Sequence, residues 1–136
     1  AFSLLQAAVD LFQGDYLPEA RYHSWAIAER EHLSVIFLRA ADQLAALYLD
    51  KNRPDEVLSI CERILAQDNC WERSYQHMMM ANHRLGNHGQ VARVYQRCVR
   101  SLREELDVAP APTTVALYEK LVGMAGGDDL PASAQG

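Results

Sequence analysis

A chain of 136 residues, 49% hydrophobic and 23% charged, has the make-up of one soluble globular domain, long enough to bury roughly two thirds of its unfolded surface. A net charge of −5 gives no support to unspecific binding of DNA or anionic membrane by the chain as a whole. No apolar run approaches the roughly 20 residues that cross a bilayer, and the start Ala1-Phe2-Ser3-Leu4-Leu5 lacks the basic residues and cleavage site of a secretory signal. A cytoplasmic location is therefore expected. With no initiator Met, the chain reads as a piece of something longer.

In chain order, Phe2 to Phe12 is expected to form a short helix, with Leu4, Leu5, Ala8, Leu11 and Phe12 at three- and four-residue spacing. Gly14 stops it, and Asp15-Tyr16-Leu17-Pro18 is read as a turn and connector. From Ser24 to Asp50 neither Gly nor Pro interrupts, so a helix of about 27 residues, about 40 Å long, is expected. Its second half, Val35 to Leu49, is apolar nearly all round, which means burial on two sides.

Pro54 opens the next helix in the first turn, where its missing N–H is not needed, and Asp55 and Glu56 suit the positive end of the helix dipole. That helix runs to about Gln67. Asn69 with Glu72 three residues on reads as a capping pair for a helix from Cys70 to Leu85, ended by Gly86. Val91 to Leu106 follows. Its Val91, Val94, Tyr95, Cys98, Val99, Leu102 and Leu106 share one arc, and Arg93, Arg97 and Arg100 the opposite one. After Pro110 and Pro112, Thr113 to Val122 makes a last amphipathic helix. Residues 126–136 are small and polar, expected to be a disordered tail or linker. No segment alternates with period two, so no strand is expected.

The middle of the chain repeats itself. Shifted by 34 residues, Leu44 falls on Met78, Leu47 on Ala81, Val57 on Val91 and Ile60 on Val94. Likewise Cys61 falls on Tyr95, Ile64 on Cys98 and Leu65 on Val99, while the break Lys51-Asn52-Arg53-Pro54 falls on Leu85-Gly86-Asn87-His88. A 34-residue period with one helical hairpin per unit is the tetratricopeptide signature. Such units bury their apolar faces only against their neighbours. The expected fold is therefore all-α: tetratricopeptide-like stacked helical hairpins, an α-α superhelix of about six helices over residues 1–125. Scaffolds of this kind bind other macromolecules.

No catalytic constellation accompanies the repeat. Glu29-x-x-His32 puts a carboxylate and an imidazole on one helical face, but di-iron bundles need two such pairs, and this sequence has one; a surface pair is the simpler reading. His77, His83 and His88 are spaced by six and five, which does not share a face. There is no His-Glu-x-x-His, phosphate-binding Gly loop or Gly-x-Ser-x-Gly elbow. Cys61, Cys70 and Cys98 lack a paired metal spacing and are expected as reduced, inert thiols. No enzyme activity, metal or cofactor is expected.

Two groups of residues remain as binding candidates. Arg93, Arg97, Arg100 and Arg103 form either a solvated row with pairs such as Arg100 to Glu104, or a docking strip for acidic protein or phosphate. Tyr48, Met78, Met79 and Asn82 are candidates for the concave groove of the repeat, where a peptide or small effector would sit. Met78-Met79-Met80 also suits plain core filling. Trp25 and Trp71 each begin a helix and are expected to rest against the preceding hairpin.

Several segments resemble the bacterial transcriptional activator domain of SARP-type regulators. These are Gly14-Asp15-Tyr16-Leu17-Pro18, Trp25 with Glu29-Arg30-Glu31-x-Leu33, and Leu85-Gly86-Asn87 before Val91 and Tyr95. Leu102-Arg103-Glu104-Glu105-Leu106 and the closing Pro110-x-Pro112-x-Thr114-x-x-Leu117-Tyr118 complete the likeness, which covers residues 2 to 122. Asn69 stands where a Pro is common in the family, and Ala111 where a polar cap is common. The resemblance implies a tetratricopeptide-like regulatory module that follows a winged-helix DNA-binding domain. It implies partners that are proteins: a second copy in a homodimer, the module's own winged-helix domain, or RNA polymerase. DNA would be met only through that separate domain, not in this chain, and a membrane not at all. The expected function is non-enzymatic signal transduction in transcription regulation; the alternative is effector sensing in the groove.

Overall fold

Breakers and apolar periodicity divide the chain where the sequence pattern places them. The computed structural model describes residues 2–13 and 24–129, and among these it holds six helices and no strand: α1 Phe2–Gln13, α2 Ser24–Asp50, α3 Pro54–Gln67, α4 Glu72–Arg84, α5 His88–Leu106 and α6 Pro112–Asp129. The Gly14 stop, the Asp15–Pro18 turn, the side chains of Ala8, Leu11, Phe12 and Trp25, and residues 130–136 lie outside the described residues. No helix among them is long and apolar enough to cross a membrane. Three boundaries differ from the sequence reading by two residues or more. α4 begins at Glu72 rather than Cys70, α5 three residues before Val91, and α6 runs on past Val122.

The 34-residue period is visible in the backbone hydrogen bonds themselves. At the end of α2, Lys51 N–H donates to Leu47 O, Asn52 N–H to Leu49 O and Arg53 N–H to Tyr48 O. At the end of α4, Leu85 donates to Ala81 O, Gly86 to His83 O and Asn87 to Asn82 O, each bond shifted by one period. Both turns need one left-handed residue, supplied by Asn52 at φ 57° and Gly86 at φ 79°. Asn tolerates that region better than most side chains, and Gly without strain.

Burial follows the same period. Leu44 and Met78, Val57 and Val91, Ile60 and Val94, Ile64 and Cys98 are buried in both copies. Cys61 and Leu65 are buried while their counterparts Tyr95 and Val99 are half-buried, because α4 covers α3 more fully than α6 covers α5. α2 touches α1, α3 and α4, which explains why its second half is apolar nearly all round: Phe37, Leu38, Ala41, Leu44, Ala45 and Leu49 are all sealed.

Each helix lies against the next, and α2, α4 and α6 also touch one another in a row. The backbones of α3 and α5 stay apart. A stack whose one row is in contact and whose other row is splayed must curve, with α2, α4 and α6 on the inner side. That splay leaves an opening between α3 and α5, floored by α4.

Two polar clusters lock the inner row. Asp42 of α2 accepts from the Trp71 indole at 3.2 Å and from Arg73 Nε at 2.9 and 3.1 Å, so Trp71 does rest on the preceding hairpin. Glu72 does not form the capping pair with Asn69 that the sequence suggests; Asp68 instead accepts from Cys70 N–H at 3.0 Å. The Glu72 carboxylate reaches α6, accepting Ala111 N–H at 2.7 Å and the Thr114 hydroxyl. It caps a helix whose own cap residue, Ala111, has no side chain able to do so. Gln76 completes the cluster by donating to Thr114 Oγ1 at 2.8 Å.

Candidate partner-binding cleft

Between the splayed outer helices lies a cleft of about 260 Å³, lined by Leu58 and Glu62 of α3, Met78 and Asn82 of α4, and Gln90, Arg93, Val94 and Arg97 of α5. Each wall follows from helical spacing. Leu58 and Glu62 are one turn apart on α3, as are Gln90, Arg93 or Val94, and Arg97 on α5, and Met78 and Asn82 on α4.

One end of the cleft is closed by a strut. Arg97 donates from both terminal nitrogens to the Glu62 carboxylate, at 2.8 and 2.9 Å, and its guanidinium lies 5.9 Å from the Tyr75 ring centre. The fork-on-carboxylate geometry is the strong form of this pair. It holds the Glu62 carboxyl below the usual carboxylate range and raises Arg97, in both cases chiefly through the hydrogen bond. Tyr75 beneath is fully buried, and its hydroxyl donates to Asn69 O at 2.7 Å and meets Ser101 Oγ at 3.1 Å; burial pushes it up. On the floor, Asn82 is buried and donates to Met78 O at 3.0 Å.

The two groups of candidate residues are thus partly merged and partly dispersed. Arg93 and Arg97 meet Met78 and Asn82 in this one cleft, on the outer side of the stack. Tyr48 lies instead against α1, edge-on to Phe2 at 5.4 Å and donating to Gln6 Oε1 at 2.9 Å. Met79 is completely buried in the core. Arg100 and Arg103 are exposed and line no part of the cleft. The Arg100–Glu104 pair does not form; among the described residues the ion pair of this arginine row is Arg97 with Glu62 of α3. Leu58, Glu62 and Gln90 were not singled out from the sequence, and Val94 was read only as an apolar repeat position. Sliding α3 by one period puts Glu62 level with Gln96, beside Arg97, and that register is the signal that could have found them.

Nothing in the cleft resembles a reacting centre. Cys61 and Cys98 are buried, and burial pushes both thiols up to about 12, far from the thiolate a nucleophile needs. Glu29 and His32 are exposed on α2, and among the described residues no three His, Cys, Asp or Glu side chains converge as for a metal ion.

Stacked hairpins of 34-residue period with an open cleft between outer helices define a helical-repeat module. The chain belongs to the bacterial transcriptional activator domain family, whose model matches residues 1–122. It is 28% identical over 130 residues to the transcriptional regulatory protein MoaR1 of Mycobacterium tuberculosis, and equally to that of Mycobacterium bovis BCG. The match takes in 96% of this chain and 42% of each relative, so the chain spans less than half the length of these regulators. No solved structure matches it. Family and relatives together support a regulatory domain of the kind found in transcriptional regulators.

Proposed function

We propose that this module controls a bacterial transcriptional regulator by protein–protein contact, in the cytoplasm, without chemistry of its own. It would present its helices to a second copy, to a winged-helix DNA-binding domain of the same protein, or to RNA polymerase, and DNA would be engaged through that other domain. The observation that carries this reading is the 34-residue period, seen in both burial and turn hydrogen bonds, in a chain of this family. Repeats of this kind offer extended surfaces rather than reaction centres.

Light scattering on the purified protein, together with a pull-down of a separately tagged DNA-binding domain, tests it. A dimer or a stable complex is expected. A strict monomer with affinity for neither the other domain nor RNA polymerase would overturn it.

The effector-sensing alternative has less support. Of its four groove residues, Tyr48 is engaged with α1 and Met79 is sealed, while the cleft that Met78 and Asn82 floor is smaller than the about 300–1,000 Å³ of drug-sized ligand sites.

A further inference from the structure

The cleft between α3 and α5 has the size and lining for side chains, not for a whole small molecule. Its apolar part is Leu58, Met78 and Val94; its polar part is Asn82, Gln90 and the two arginines. The arginines are not equivalent. Arg97 is spent on Glu62 in a two-pronged ion pair. Arg93, one helical turn nearer the open end, is exposed and pairs with no carboxylate among the described residues.

Two guanidiniums against one carboxylate leave the cleft locally positive in a chain whose net charge is −5. The guanidinium is the side chain best suited to holding a carboxylate through two parallel bonds. An arginine at the rim of an apolar, partly desolvated recess is also the usual composition of an interface anchor.

We propose that this cleft captures a short acidic–apolar segment of a protein partner. An apolar side chain fills the recess over Leu58, Met78 and Val94, and a nearby Asp or Glu closes onto Arg93. Arg97 and Glu62 bridge α3 and α5 at one end of the recess, which is already open in the chain without its partner. The proposal rests on the partner-docking reading above and specifies its site and chemistry.

The test uses the whole chain and a random twelve-residue peptide library displayed on phage, followed by fluorescence anisotropy of the enriched peptides made synthetically. Enriched peptides are expected to carry Asp or Glu within four residues of Leu, Ile, Met or Phe. Their affinity should fall by about tenfold or more for Arg93→Glu and stay unchanged for Arg103→Glu. Because Arg93 pairs with no carboxylate among the described residues, Arg93→Glu should melt like the parent chain, which separates lost binding from lost folding.

Addition of the peptide should shift the amide resonances of Gln90, Arg93 and Val94. Peptides that bind equally well to Arg93→Glu would overturn the cleft assignment while leaving a partner-binding module intact. Enrichment of basic or purely apolar peptides would overturn the stated chemistry. Failure to enrich any peptide would also overturn the inference, and the broader reading would then stand or fall on the dimer and domain-binding measurements.

Discussion

The inner row of this stack has two seams, and they are fastened differently. Asp42 and Gln76 are one period apart, and each reaches the first turn of the next inner helix. In the α2–α4 seam the reaching group is a carboxylate, largely buried, that gathers an indole and a guanidinium. In the α4–α6 seam it is a neutral amide, and the charge has moved four residues back to Glu72, which caps α6 from outside. Tyr95 stacked on Tyr118 at 4.0 Å adds an outer fastening between α5 and α6. The difference teaches that the first seam joins two complete hairpins, whereas the second closes the stack with a helix that depends on a neighbour for its start.

The largest expected effect is on the first seam. Asp42→Ala would leave the Trp71 indole and Arg73 without their acceptor, and should lower global stability by about 2–3 kcal/mol in urea unfolding. His77 sharpens the same point. It is buried on α4 and faces Asp42, which favours its charged form, and Arg73, which opposes it; burial dominates and lowers its pKa. An imidazole held neutral in the fold supports stability above its ordinary value of 6.5 and loses that support as pH falls below it. Removing Asp42 should make that loss steeper. A pH-independent melting temperature between about pH 7.5 and 5.5 in both proteins would break the account.

Next in size is the second seam, where the effect should be local. Glu72→Ala should cost about 1–2 kcal/mol, with amide exchange rising in α6 while α2 to α5 keep their protection. Ala111→Ser in that background supplies a cap from α6 itself and should recover about 1 kcal/mol. In the parent protein, where Glu72 already occupies the position, the same change should gain little. If both backgrounds respond equally, Glu72 is not the cap.

These seams also mark where the sequence stops being readable. The helices and the period were legible because apolar spacing and Gly or Pro breaks are local signals, and Ser24–Asp50 and Pro54–Gln67 match the expected spans. The fastenings were not. Asp42 meets Trp71 across 29 residues, Glu72 meets Thr114 across 42, and Glu62 meets Arg97 across 35, contacts that exist only after stacking. At Glu72 the local pattern was misleading: a capping-box spacing lost to a more distant acceptor need. The cleft was half legible. Arg93, Arg97, Met78 and Asn82 drew attention by residue type, but only the splay of α3 from α5 brings them together.

The two turns offer a smaller, cleaner contrast. Gly86→Ala should cost about 1 kcal/mol through its positive φ alone, since a Cβ there meets no neighbour within 4 Å. Asn52→Gly at the equivalent turn should be neutral or slightly stabilising, because it relieves a side chain held in the left-handed region. Thermal melts of the two variants should move in opposite directions or, at least, unequally. Equal losses would mean that the Asn52 side chain stabilises its turn by more than its left-handed backbone costs.

The smallest effect belongs to the strut across the outer helices. Arg97 holds the Glu62 carboxyl below its ordinary value of 4.5, so the pair contributes above that value and fades as pH falls through the depressed one. Both side chains are well open to water, at 37% and 51%, which limits the coupling to about 0.5 kcal/mol. A double-mutant cycle with Glu62→Gln and Arg97→Gln should find that coupling at neutral pH and see it shrink as acid protonates Glu62. Coupling that survives in acid would assign the strut to the packing of Arg97 over Tyr75 rather than to charge. In that case the spacing of α3 and α5 would be set by the buried ring, and the cleft would keep its width even without Glu62.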